Sequence, residues 1–131
     1  MPIIKNLLAL HKNTYLFLAV SWLCLITLAS LVSVKIVQEV EHGMEVPDKL
    51  VHGVFYFVNT LLFFLYFNKS QIKNAIVKVS LFSFVYGIII EVLQYVLPYE
   101  RSFDLKDIIA NSMGILIAIF LIKYALITRL R

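Results

Sequence analysis

A chain of 131 residues that is 61% hydrophobic and 15% charged has the length of one domain but far more apolar surface than a soluble one, in which roughly 45–50% of residues are apolar. Its net charge is +4, yet the basic residues flank long apolar stretches, so the excess is a topology signal and calls for no nucleic-acid partner. The stretches are too continuous for a water-soluble bundle, and they lack the alternation of about ten-residue segments that a membrane barrel requires.

The first stretch, Tyr15 to Val34, runs 20 residues without a charge, the length that a hydrocarbon core of about 30 Å demands. Lys5 and Lys12 precede it, as in a secretory signal. The apolar run is longer than the 7–15 residues of a signal core, however, so this span is expected to be retained. Cys24, the single cysteine, lies mid-span and has no internal disulfide partner. Leu50 to Phe67 contains no Asp, Glu, Lys or Arg and one histidine, His52. Val79 to Leu97 contains one acid, Glu91, and Ile108 to Ile122 contains no charge. A helix satisfies its own backbone hydrogen bonds, which makes it the form in which such segments cross lipid. The expectation is an all-α integral membrane four-helix bundle with spans near 15–34, 48–67, 75–97 and 107–126, in a single domain over 1–131 with short connecting loops, no internal repeat and no linker.

Four spans put both termini and the loop around 68–74 on one side of the membrane. That side carries Lys5, Lys12, Lys69, Lys73, Lys78, Lys123, Arg129 and Arg131 and no acid. The other side carries Lys35, Lys49, Arg101 and Lys106 against Glu39, Glu41, Glu45, Asp48, Glu100, Asp104 and Asp107. Basic residues concentrate in cytoplasmic loops, so both termini are expected to be cytoplasmic and the acidic side external.

The polar residues within the spans gather toward the external side. Pro47 opens the second span, since proline suits a first helical turn. Asp48, His52 and Asn59 then share one face, with Tyr56 beside them. In the third span Gly87, Glu91, Gln94 and Tyr95 form a small and polar stripe. Glu91 lies seven residues before Pro98, about 10 Å deep at 1.5 Å per residue. The fourth span enters with Asp107, Asn111 and Gly114 on one face. A carboxylate in hydrocarbon costs about 2.5–3.5 kcal/mol or more, so Glu91 must face the bundle or a wet cavity, be paired, or be protonated. Asp104 and Asp107 also suit a plainer role, N-cap and third residue of the fourth helix in an acidic variant of the capping box. Gly114 and Ala118, four apart, read as a helix-packing pair. The tyrosines near the predicted interfaces need be no more than an aromatic belt.

Asp48-Lys49 with His52 and Tyr56, then Glu91-x-x-Gln94, then Arg101, then Asp107-x-x-x-Asn111-x-x-Gly114 resembles the VanZ-like family of small bacterial membrane proteins. The resemblance spans residues from about 48 to 118, with Ala118 standing where the family often has a second glycine. It implies a multi-pass protein of the bacterial cytoplasmic membrane with an envelope-associated role. More distantly, it implies a contribution to low-level resistance to the glycopeptide teicoplanin, from which the family takes its name. It implies no established reaction.

Three readings of the polar cluster follow. As an enzyme on an envelope lipid or lipid-linked anionic substrate, the protein would use Arg101 to grip an anion and His52 or Glu91 as general base, with Asp107 in the same catalytic group. Asp48, Gln94 and Asn111 would position substrate or base. No serine or cysteine stands as an obvious nucleophile, so water-mediated hydrolysis or transfer to a hydroxyl fits better than a covalent route. As a non-catalytic membrane protein, it would use the same residues to hold a lipid headgroup or merely to hold its helices together. Asp48, His52, Glu91 and Asp107 also form an oxygen-and-nitrogen set suited to zinc or manganese. Their spacing matches no standard zinc motif, and no metal or other cofactor is expected.

Overall fold

A computed structural model of the chain describes residues 6, 8–31, 47–97 and 103–127. Four helices follow in order: α1 (Lys12–Leu31), α2 (Asp48–Lys69), α3 (Ala75–Val96) and α4 (Leu105–Leu121), the last running into a π-helical turn over Ile122–Leu126. No strand occurs among the described residues. All four helices are long and apolar enough to cross a membrane, the fourth counted together with its π turn. The spans agree with the sequence expectation to within three residues at every described boundary. Residues 32–34 of the first expected span lie outside the described residues.

The small shifts have local causes. α1 begins before Tyr15 because His11 caps it: Nδ1 accepts from the Asn13 backbone N–H at 3.3 Å, and the His11 carbonyl accepts from Thr14 at 3.0 Å. The charged Lys12 is tolerated at this end because its long stem lets the ammonium stay in water. At the start of α2, Pro47 stands one position before the helix, where its carbonyl accepts from Leu50 at 2.9 Å. α2 and α3 are joined by the tight turn Ser70–Asn74, in which Gln71 and Asn74 take positive φ of 56° and 57°. Asparagine accepts that left-handed conformation more readily than most residues. So short a connection makes the two helices antiparallel neighbours.

α2 is the hub, packing most extensively on α4 and also on α1 and α3. Gly114 lies against Gly53, so that the backbones of α4 and α2 nearly touch there. Such close approach through small residues is how helices associate in lipid, where apolar burial offers little driving force. Toward the α2–α3 turn, Ala19, Phe63, Phe64, Val79 and Ile122 form an apolar core, and Ile26, Tyr56 and Ile115 form a second one nearer the middle. Polar ties cross between helices. Trp22 Nε1 donates to the Phe55 carbonyl at 3.0 Å, Asn59 Nδ2 donates to Ser83 Oγ at 3.0 Å, and the Thr27 and Tyr86 hydroxyls bond one another. Outward, large apolar side chains stand exposed on every helix, Phe17, Leu50, Val77 and Phe120 among them. Apolar cover of this extent is what a lipid-facing surface requires and what a soluble protein avoids.

Candidate functional site at the acidic end of the bundle

The start of α2 and the start of α4 lie side by side, and with the last turns of α3 they bring most of the polar residues singled out in the sequence to one end. Asp104 is the N-cap of α4, its Oδ1 accepting from the Lys106 backbone N–H at 2.8 Å. Asp107 occupies the third helical position, but its carboxylate turns to α2 rather than back to the cap, so the reciprocal half of the capping box is replaced by an ion pair. The partner is Lys49, whose Nζ donates to Asp104 Oδ2 at 2.7 Å and to Asp107 Oδ1, with Asp48 Oδ2 3.6 Å away.

Beside this pair, His52 Nδ1 lies 3.1 Å from Asn111 Oδ1. The amide oxygen accepts only, so Nδ1 donates in this bond. Nε2 faces Asp48 Oδ1 at 3.9 Å and Asp107 Oδ2 at 3.8 Å. His52 and Asn111 are buried, while Asp48 opens to the surface.

Deeper in the bundle, Glu91 is fully buried and neither of its oxygens has a hydrogen-bond partner. The Asp104 backbone N–H lies near without completing a bond, and the carboxyl is close enough to interact electrostatically with Asp107 and His52. The Tyr56 hydroxyl and Asn111 Nδ2 are likewise buried and unpartnered. Gly87, one turn before Glu91, makes room for both: a Cβ there would lie 3.2 Å from Asn111 Nδ2 and 3.2 Å from the Tyr56 ring. Four unpaired polar atoms gathered near one glycine make a closely packed polar cluster, the polar chamber, inside an apolar bundle. Its floor is the Asn59–Ser83–Thr60 hydrogen-bonded layer, with Thr60 Oγ1 3.2 Å from Ser83 Oγ. Beyond that layer lie the apolar residues Phe63, Phe64 and Val79.

Of the expected site residues, Asp48, His52, Asp107 and Asn111 converge directly, and Glu91 sits inward of them. Gln94 turns the other way: its Nε2 donates to the Ser30 carbonyl at 2.8 Å and ties α3 to α1. Tyr95, assigned to the same stripe, is 65% exposed and so belongs to the outer surface. Arg101, the expected anion grip, lies outside the described residues. Lys49, part of the family resemblance but given no role at the site from sequence, joins the cluster. A lysine following an aspartate at the first turn of a span, opposite an acidic helix start, was the available signal, but sequence alone does not say which helix starts are neighbours.

The sequence profile of the VanZ/LLP1 family matches residues 7–128. The chain belongs to the VanZ/LLP1 family. No curated protein and no solved structure shows a significant match to it. In this VanZ/LLP1 protein the match takes in all four helices, so the resemblance carried by residues 48–118 extends to α1 and to the π turn.

One pH effect follows from the cap. The hydrogen bond from Lys49, with that from the Lys106 backbone, holds the Asp104 carboxyl below its ordinary value. A carboxyl whose folded-state pKa is lowered stabilises the fold fully above its unfolded value, about 3.9 for aspartate. The contribution is lost as pH falls below that value toward the lowered one. Thermal melts in detergent between pH 3 and 7 should therefore show a smaller acid-induced loss for Asp104→Asn than for the unmodified VanZ/LLP1 protein. Parallel acid profiles would remove Asp104 from the account.

Proposed function

We propose that the acidic end of this VanZ/LLP1 protein faces the outside of the bacterial cytoplasmic membrane, and that its polar chamber binds or processes an envelope lipid or lipid-linked anionic substrate. The observation that carries this reading is the set of buried, unpaired groups: both Glu91 oxygens, the Tyr56 hydroxyl and Asn111 Nδ2. Leaving a buried polar group unsatisfied costs about 1–3 kcal/mol, more if charged. A bundle selected for stability alone would have filled this space with apolar side chains, whereas a chamber that receives a polar headgroup needs these groups free. External placement is supported by the excess of lysine and arginine on the opposite side.

In this reading His52 or Glu91 acts as the base, Asp107 keeps the histidine oriented, and Asp48 and Asn111 position the headgroup, with Arg101 as the anion grip and Gln94 acting through its tie to α1. Resistance to teicoplanin, where a member of the family confers it, would be a downstream effect of handling an envelope lipid. The competing reading is a structural cluster without a ligand. The Lys49–Asp104–Asp107 and Gln94–Ser30 ties favour it, because they lock helices together as a purely structural cluster would.

Purified protein reconstituted with envelope lipids separates the two. The proposal expects saturable, lipid-class-specific binding, read as a thermal shift or by photo-crosslinking to residues around Gly87. If the site is catalytic, His52→Ala abolishes turnover and leaves binding in place. Binding without turnover makes the protein a lipid-binding one. No selective binding of any envelope lipid leaves the structural reading standing.

A further inference from the structure

The acidic end poses a charge problem that the helix ties do not resolve. Among the described residues, Asp48, Asp104 and Asp107 surround Lys49, Lys106 lies beside Asp104, and Glu91 is within electrostatic reach of Asp104 and Asp107. If all are ionised, two negative charges remain uncompensated beside a low-dielectric core. An anionic headgroup would add to the excess.

We infer that Asp48, His52 and Asp107 form a binding site for one divalent transition cation of the zinc or manganese class. The three side chains each offer one ligand atom, and these atoms lie within 4.8 Å of one another. His52 Nε2 is 3.9 Å from Asp48 Oδ1 and 3.8 Å from Asp107 Oδ2. Ligands bound at about 2.0–2.2 Å around one ion stand up to roughly twice that distance apart, so an ion fits among them with little movement.

The histidine is prepared as a ligand should be. Its Nδ1–H donates to Asn111 Oδ1, which fixes the ring and directs Nε2 at the two carboxylates, the arrangement in which a neighbouring acceptor orients a metal-binding imidazole. Lys49 has a matching part. It holds Oδ1 of Asp107, which leaves Oδ2 directed at His52. One nitrogen and two carboxylate oxygens suit zinc or manganese, whereas calcium takes six to eight oxygens.

An independent observation points to the same place. Glu91 is fully buried, unpartnered at both oxygens and within electrostatic reach of His52 and Asp107. It is not a member of the ligand set, but it feels the charge of two of the ligands, and a water bound to the ion on its side would offer it the hydrogen bond it lacks. Three protein ligands leave such a position open. The same position would accept a phosphate or carboxylate oxygen, which is how an acid-rich site comes to bind an anion. The ligands come from the first two turns of α2 and the first turn of α4, so no linear motif announces them.

With an ion on Nε2, His52 serves as a ligand and Glu91 is left as the base; the cation site does not otherwise depend on whether the chamber takes a lipid, and its test uses none. Tag-free full-length protein in detergent, stripped with chelator, is titrated with Zn2+ and with Mn2+ by calorimetry. The Mn2+ form is then examined by pulsed electron paramagnetic resonance. One ion per chain is expected, with a nitrogen-14 coupling from a single imidazole, and affinity about tenfold or more weaker in His52→Gln and in Asp107→Asn. Asn111→Ala should weaken binding by about 10–100-fold through the ring orientation alone. Absence of saturable binding, or a bound manganese without nitrogen coupling, overturns the inference. The spectroscopic arm needs no variant, so a substitution that fails to fold leaves the inference open to refutation.

Discussion

Gly114→Ala is expected to cost the protein more stability than any other single methyl group added to its interior. The new Cβ would fall on the Gly53 carbonyl oxygen, 2.9 Å from its carbon and 3.1 Å from its Cα. All of these are backbone atoms, so no change of rotamer relieves the clash and α2 and α4 must separate. Overpacking a core typically costs about 1–3 kcal/mol, and a clash against helix backbone belongs at or above the top of that range. The damage spreads, because the Lys49 ion pairs and the His52–Asn111 bond join the same two helices. Gly53→Ala is the matched control. Its Cβ would meet the Ala110 carbonyl oxygen at an ordinary 3.6 Å. Thermal melts in detergent should show a large drop for the first variant and a small one for the second. Equal melting temperatures would mean that the helices do not cross where these glycines place them.

Glu91→Gln should move stability and function in opposite directions. The carboxyl is fully buried with no partner at either oxygen, and it shares its surroundings with the Asp107 carboxylate. A neutral amide of nearly the same size removes that repulsion and keeps one oxygen as an acceptor for the neighbouring donors. A gain of about 1 kcal/mol or more is expected, the scale of an unsatisfied buried group. If the chamber is catalytic, turnover on an envelope lipid should vanish in the same variant while lipid binding persists. Such a trade is the mark of a residue kept for what it does. A melting temperature that falls instead would mean that the carboxylate is itself a structural tie, and the chamber reading would lose its main support.

How much of this was legible in the sequence depends on which contacts decide each feature. The spans were legible because hydrocarbon thickness sets a length that a single segment must meet by itself, as Tyr15 to Val34 does. The stripes were legible because His52 and Tyr56, or Asp107 and Asn111, share a face through helical periodicity within one segment. The pairing of the stripes was not. That Lys49 meets Asp104 and Asp107 depends on the close crossing at Gly53 and Gly114, and the sequence offered Gly114 with Ala118 as the packing pair without naming its opposite surface. Gln94 shows the reverse failure. Its periodicity put it beside Glu91, but three residues along a helix turn a side chain far enough to face another neighbour, here Ser30 of α1. Asp107 was balanced between a local cap and a tertiary partner, and the nearby lysine decided the outcome.

Lys49 and Asp104 are 55 residues apart in the chain, and that separation bears on how the protein is made. During insertion the second span enters the bilayer with its aspartate, lysine and histidine at one edge, and α3 must follow before the start of α4 arrives. Until then the lysine has neither of its partners from that helix, and His52 has no Asn111. The acidic end is therefore incomplete until the start of α4 arrives. Its ion pairs act as a latch that closes only when the fourth helix joins, and a chain halted after its third span would present an unlatched, charged edge by which a membrane quality-control protease could recognise it.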